Sequence, residues 1–202
     1  MYVLAVTGGL GAGKSTAGEF FRSCGAVVLS LDDVARRQLM PGTPVFDAVV
    51  EEFGEGVLAE DGSIDTAALA REAFSTPERA HRLNAIVHPA VLREIGPGLT
   101  DMGLLLNPPR FVVLDVPLLV EAPAFAELAD EVLAISAPEE ERVQRVVSRG
   151  MDEEDARARI RSQATDEQRE AIADRVILND GTLEEFRSEL ARYWDEVVAG
   201  AS

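Results

Sequence analysis

The stretch Gly8-Gly9-Leu10-Gly11-Ala12-Gly13-Lys14-Ser15 fits the pattern G-x-x-x-x-G-K-[ST]. Glycines at 8, 9, 11 and 13, with the small Ala12 between them, let successive backbone N–H groups turn inward around phosphate oxygens. Lys14 offers a compact ammonium to the outer phosphates, and the positive end of a following helix adds to it. The Ser15 hydroxyl suits Mg²⁺, a hard cation that takes oxygen ligands from protein and phosphate together. The chain has 19 basic residues, and Lys14 is its only lysine. Arginine's planar fork favours bidentate pairs, whereas a loop closing around a triphosphate has room for a flexible point charge.

Two carboxylates have the spacing to complete such a site. Asp32 follows a second apolar run and could take a proton from an attacking hydroxyl. Asp115 ends a third apolar run, as a Mg²⁺-holding carboxylate does in nucleotide-hydrolysing proteins. Each also has a plainer reading as a helix-cap or turn acid, and Asp32-Asp33 stands where an N-cap favours Asp. Arg142, Arg145 and Arg149 fall at i, i+3 and i+7, one face of a helix, and could stabilise charge on a transferring phosphoryl group. Glu141→Arg145, Glu153→Arg157 and Asp155→Arg159 are i,i+4 pairs in the favourable order, so ordinary surface pairing competes with that role.

Elements must hold these groups. Tyr2–Val6, Ala26–Ser30, Phe111–Val116, Val132–Ser136 and Val176–Asn179 are short apolar runs without alternation, the pattern of strands buried on both faces of a helix-covered parallel sheet. The glycine loop lies between the first run and a helix over Lys14–Arg22. The fold class is therefore α/β with a mostly parallel five-stranded sheet. Residues 32–110 show helical patterns around Val34–Leu39, Pro44–Phe53, Thr66–Phe74, Pro77–Ile86 and Pro89–Ile95, punctuated by glycines and prolines. They predict a helical substrate subdomain inserted after the second strand, at the end of the sheet where ligands bind. Residues 138–173 form a second helical piece, a lid, leaving 1–31, 111–137 and 174–202 as the nucleotide-binding core. The C-terminal run Leu183–Val198 is amphipathic and places Trp194 in the core.

Composition excludes other classes. Thirty-six acidic residues give a net charge of −17, against general nucleic-acid or anionic-membrane binding. The apolar run 111–120 contains Asp115 and Pro117 and is too short to span a bilayer. The N-terminus lacks the basic segment of a secretory signal, and the single cysteine, Cys24, forms no disulfide within the chain. A cytoplasmic protein is expected, with no obligate protein partner evident.

Along nearly the whole chain the sequence resembles the dephospho-coenzyme A kinase family. The matching stretches are Thr7–Ser15, Asp32-Asp33-Val34-Ala35-Arg36, Pro41-Gly42, Leu83-Asn84-Ala85-Ile86-Val87-His88-Pro89, Leu114–Glu121, Arg159–Ala164 and Ala173–Asn179, in this order. The resemblance implies a P-loop kinase core that phosphorylates the ribose 3′-hydroxyl of dephospho-CoA with ATP and Mg²⁺, the last step of coenzyme A synthesis. It implies Asp32, Lys14, Arg145 and Arg149 as catalytic residues. ATP would be bound by Gly8, Gly9, Gly11, Ala12, Gly13, Lys14, Ser15, Thr16 and Asn179. Arg36, His88 and Glu121 would line the acceptor site, with Ser15 and Asp115 on the metal. The sequence departs from the family at Ser30, where Asp-x-Asp usually begins, at Val120, often Phe, and at Gly150, which follows Arg149 directly.

Two alternatives follow from the same residues. One is a P-loop kinase for another small acceptor, such as a nucleoside monophosphate. The other is a nucleotide-binding switch, against which the single lysine argues, because no Asn/Thr-Lys-x-Asp guanine motif can exist.

Overall fold

The computed structural model describes residues 1–201. Five strands, β1 (Tyr2–Gly8), β2 (Val27–Ser30), β3 (Phe111–Asp115), β4 (Glu131–Ser136) and β5 (Arg175–Leu178), form one sheet in the order β2-β3-β1-β4-β5. Every pairing is parallel, with Val6 opposite Asp115, Thr7 opposite Ala134 and Ser30 opposite Asp115. The helices are α1 (Lys14–Ser23), α2 (Leu31–Gln38), α3 (Pro44–Phe53), α4 (Thr66–Ala73), α5 (Pro77–Gly103), α6 (Glu139–Val147), α7 (Glu153–Ser162), α8 (Asp166–Glu170) and α9 (Leu183–Gly200). β1 is central, with neighbours reached through separate crossovers on either side. The glycine loop leaves its carboxyl end, where open α/β sheets bind ligands.

The central strands β1, β3 and β4 are buried along nearly their whole length. The edge strands are not, contrary to the expectation of strands covered on both faces. Val27 is exposed at the start of β2, and in β5 Val176 and Leu178 are exposed while Ile177 between them is buried. Each edge strand has a neighbour on one side only, and β5 alternates as a half-covered strand does.

Two compact units arise from the chain's contacts: Met1–Ser30 with Gly103–Ser202, and Leu31–Met102. In the first, α1 and α9 cover one face of the sheet, with Phe21, Ala17, Leu190, Tyr193 and Trp194 buried among Leu4, Val6 and Phe111. Trp194 packs its ring on those of Phe21 and Phe111, at centroid separations of 5.2 and 4.7 Å. Trp194→Ala is expected to destabilise the protein by about 3–5 kcal/mol, the usual cost of a large aromatic cavity, read as a fall in the denaturation midpoint. Thr182 and Glu185 form a capping box that starts α9, which leaves Leu183 in the first turn and exposed. Two of the anticipated i,i+4 pairs form, Glu141–Arg145 and Glu153–Arg157.

The second unit is helical, with one antiparallel bridge between Leu58 and Ile64. Thr43 and Asp65 cap α3 and α4 through their side chains. Glu94 on α5 accepts from Arg37 and Gln38, tying it to α2. One expectation fails here. The sequence predicts helices over Pro77–Ile86 and Pro89–Ile95, but α5 runs unbroken for 27 residues with Pro89 and Pro97 inside it. A proline removes one i−4 hydrogen bond, yet its fixed φ is helical. Here the buried face Val87, Ala90, Val91, Ile95 and Leu99 keeps its helical period straight through both prolines. His88 is therefore mid-helix, not at a helix start.

Among the described residues, no helix is long and apolar enough to cross a membrane.

Candidate active site

The phosphate loop is a turn whose shape depends on glycine. Gly11 and Gly13 hold φ of +79° and +113°, where a side chain is strained. A β-carbon on Gly11 would also stand 2.5 Å from the carbonyl oxygen of Arg142, and one on Gly9 would strike the Arg142 guanidinium. The glycines thus allow close packing against α6 as well as an approach by phosphate. α1 begins on Gly13 with no side-chain cap, so the amides of its first turn, Lys14 to Thr16, have no intrahelical acceptor. Uncapped amides at a helix N-terminus are an anion site.

Lys14 and Asp115 meet at 2.5 Å, both partly buried. The strand register explains the meeting: Asp115 ends β3 opposite Val6, two residues before the loop begins at Gly8. Ser15, one residue on, presents an exposed side chain. Ammonium, hydroxyl and carboxylate therefore share one end of the sheet.

The far side of the loop is tied down. Asn179, buried just past β5, donates from Nδ2 to the Ala12 carbonyl at 2.7 Å. Arg145 donates to the Asn179 carbonyl at 2.9 Å and to Glu141 at 2.7 Å, with a longer bond of 3.4 Å to the Gly11 carbonyl. Leu10 is gripped at both its polar atoms: its N–H donates to Gln163 at 2.9 Å, and its carbonyl accepts from Arg142 Nε at 2.9 Å.

A glycine-lysine-serine loop after the central strand of a parallel sheet, backed by a carboxylate on the neighbouring strand, is shared by many phosphoryl-transfer proteins. The sequence model of one family, dephospho-CoA kinase, matches residues 2–185. The chain belongs to the dephospho-CoA kinase family. A dephospho-CoA kinase of Symbiobacterium thermophilum is 38% identical over 200 residues, covering 99% of this chain and 83% of the relative. One of Thermobifida fusca is 41% identical over 197 residues, 98% and 96% of the two chains. The solved dephospho-CoA kinase from Campylobacter jejuni superposes with a TM-score of 0.71 at 25% identity, covering 99% and 98%. The α/β sheet with its loop is thus a P-loop kinase fold.

The residues this family resemblance singles out are divided between the two units. Gly8 to Thr16, Asp115, Asn179 and Arg145 converge in the first unit. Arg149 lies just beyond α6 with its side chain exposed. Glu121, exposed after β3, accepts from the Ala164 amide at 3.4 Å and supports the charge of Arg169. Asp32, Arg36 and His88 belong to the second unit. Asp32 and Asp33 lie inside the first turn of α2, not ahead of it as an N-cap would, and Asp32 is exposed. Arg36 pairs with Asp33 on the same helix at 2.7 Å. The sequence offers Arg142 only as one of three lid arginines, and gives no role to Asp166, to Arg169 or to Gln163 within the matching stretch Arg159–Ala164. Arg142 is buried on α6 with Val143 and Val146, but Arg145 adjoins the same valines, so the sequence carries no signal that separates the two arginines.

Proposed function

We propose that the protein transfers the γ-phosphoryl group of ATP to the ribose 3′-hydroxyl of dephospho-CoA, releasing ADP and coenzyme A. The observation that carries this reading is the Lys14–Asp115 pair beside the uncapped start of α1, in a chain of the dephospho-CoA kinase family. The amides of the Gly8–Thr16 loop other than those of Leu10 and Ala12, which are bonded within the protein, hold the phosphates, and Lys14 stabilises the negative charge that shifts onto the β,γ-bridging oxygen as the bond breaks. Asp32 accepts the proton of the attacking 3′-hydroxyl, whose oxygen forms the new bond to phosphorus as the bond to ADP breaks. Arg36, His88 and Glu121 bind the acceptor, and Asn179 keeps the nucleotide end of the loop in place.

Mg²⁺ fits the donor set. Ser15 and Asp115 provide one hydroxyl and one carboxylate, hard oxygen ligands of the number Mg²⁺ uses when phosphates and water complete its shell. The ion supplies charge neutralisation on the phosphate oxygens. Asp115 then serves two cations, Lys14 and Mg²⁺. The reading places the enzyme in the cytoplasm and requires no protein partner.

Arg145, which already bonds to the loop, and Arg149, both in the lid 138–173, turn to the phosphates once nucleotide is bound. Arg145→Ala and Arg149→Ala are each expected to lower kcat by up to about 10²–10³-fold, more than they weaken ATP binding. Unchanged kinetics in both would leave them as surface residues. ADP release from ATP and Mg²⁺ across a panel of acceptors tests the function itself. Turnover that requires dephospho-CoA supports it; equal turnover with AMP or shikimate contradicts it.

A further inference from the structure

Arg142 lies on α6 yet is only 4% exposed, and its guanidinium is committed in an unusual way. Nε donates to the carbonyl of Leu10 at 2.9 Å. Nη1 donates to both carboxylate oxygens of Asp166, at 3.1 and 3.0 Å. Nη2 is buried without an acceptor and faces Gly9 so closely that no β-carbon would fit there. Asp166 is held in turn by Arg169, itself 3% exposed, at 3.0 Å. Burial pulls the Arg169 guanidinium below its ordinary value, and Asp166 opposes that shift. Gln163, three residues before Asp166, takes the Leu10 N–H. Arg142 on α6, backed by Asp166 at the start of α8, and Gln163 in the loop before α8 therefore hold the two peptide units of Leu10, through one charged and one neutral hydrogen bond.

This grip has a consequence for phosphate. The peptide that carries the Leu10 carbonyl also carries the Gly11 N–H, because the peptide unit is planar and turns as one body. Arg142 fixes the carbonyl on the α6 side, so the Gly11 N–H points the opposite way. A buried arginine with an unpaired donor is a poor device for stability alone, since a desolvated unpaired donor is a cost. We propose that Arg142, anchored by Asp166, is a positioning residue that keeps the phosphate loop in its binding conformation before nucleotide arrives. It acts through the Leu10–Gly11 peptide. The inference rests on the reading of this loop as the ATP phosphate site.

Preorganisation of this kind strengthens ground-state and transition-state binding alike, so its loss raises KM and leaves kcat nearly unchanged. ADP binding to the full chain, measured by calorimetry with Arg142→Gln and Arg142→Lys, tests it together with steady-state kinetics. Losing one charge-assisted hydrogen bond corresponds to about 10–100-fold weaker ADP binding and a matching rise in KM for ATP. Saturated kcat and the KM for dephospho-CoA are expected to stay at their unsubstituted values. Lysine is not expected to rescue, because a single ammonium lacks the separate, fixed donors with which the guanidinium holds the Leu10 carbonyl and the Asp166 carboxylate. If the Arg142 variants fail to fold, Asp166→Asn carries the test, with weaker ADP binding expected at unchanged kcat. Unaltered ADP affinity in the folded variants overturns the proposal, as does a fall in kcat with ADP binding intact. Absence of ADP binding by the unsubstituted protein would overturn the phosphate-loop reading as well, and so differs from failure of this inference alone.

Discussion

Lys14→Ala is expected to lower kcat by about 10²–10³-fold, the effect of removing one donor aimed at charge that develops in the transition state. Lys14→Arg is expected to be poorly active although the charge is kept. The ammonium occupies a narrow place: 16% of the side chain is accessible, and the Asp115 carboxylate stands 2.5 Å away. A guanidinium is wider, and its donors point in a fixed plane. The chain's only lysine makes a chemical check possible. An amine-directed reagent has two targets, Lys14 and the Met1 amine. ATP with Mg²⁺ should protect Lys14 and leave Met1 labelled, with activity lost in step with Lys14 modification. Normal turnover by Lys14→Arg would show that phosphate geometry does not explain the lysine.

Asp32→Asn is the second large effect. Loss of general-base catalysis predicts a fall in kcat of about 10²–10⁴-fold with ATP binding retained. The competing role is defined by the fold: Asp32 is an exposed acid in the first turn of α2, where it interacts favourably with the helix dipole. If that were its whole contribution, Asn would cost only about 0.3–1 kcal/mol of stability and leave turnover intact. Thermal midpoint and kcat measured on one preparation separate the two outcomes.

The phosphate loop and the sheet were legible in the sequence because both are local signals. A strand, a glycine loop and a helix start follow one another in 15 residues, and five apolar runs mark the five strands. The continuous α5 was not legible. Pro89 reads as a break, and only the tertiary burial of Val87, Val91 and Ile95 on one face shows that the helix continues through it. Exposure of Val176 and Leu178 was hidden for a related reason: an apolar run does not reveal that its strand lies at an edge. The brace behind the loop was hidden by distance. Arg142 is 132 residues from Leu10, and Gln163 is 153. Helical spacing put Arg142 with Arg145 and Arg149, but spacing does not say which arginine turns inward. The sheet decides that, by setting α6 against the loop.

Transfer of labelled γ-phosphate from ATP is the most direct test of the central claim. With ATP, Mg²⁺ and dephospho-CoA, the label should appear as a phosphate monoester on the ribose 3′-oxygen of coenzyme A, in amounts equal to the ADP formed, and only when dephospho-CoA is present. Label found only in inorganic phosphate, or transferred as readily to a nucleoside monophosphate, would contradict it.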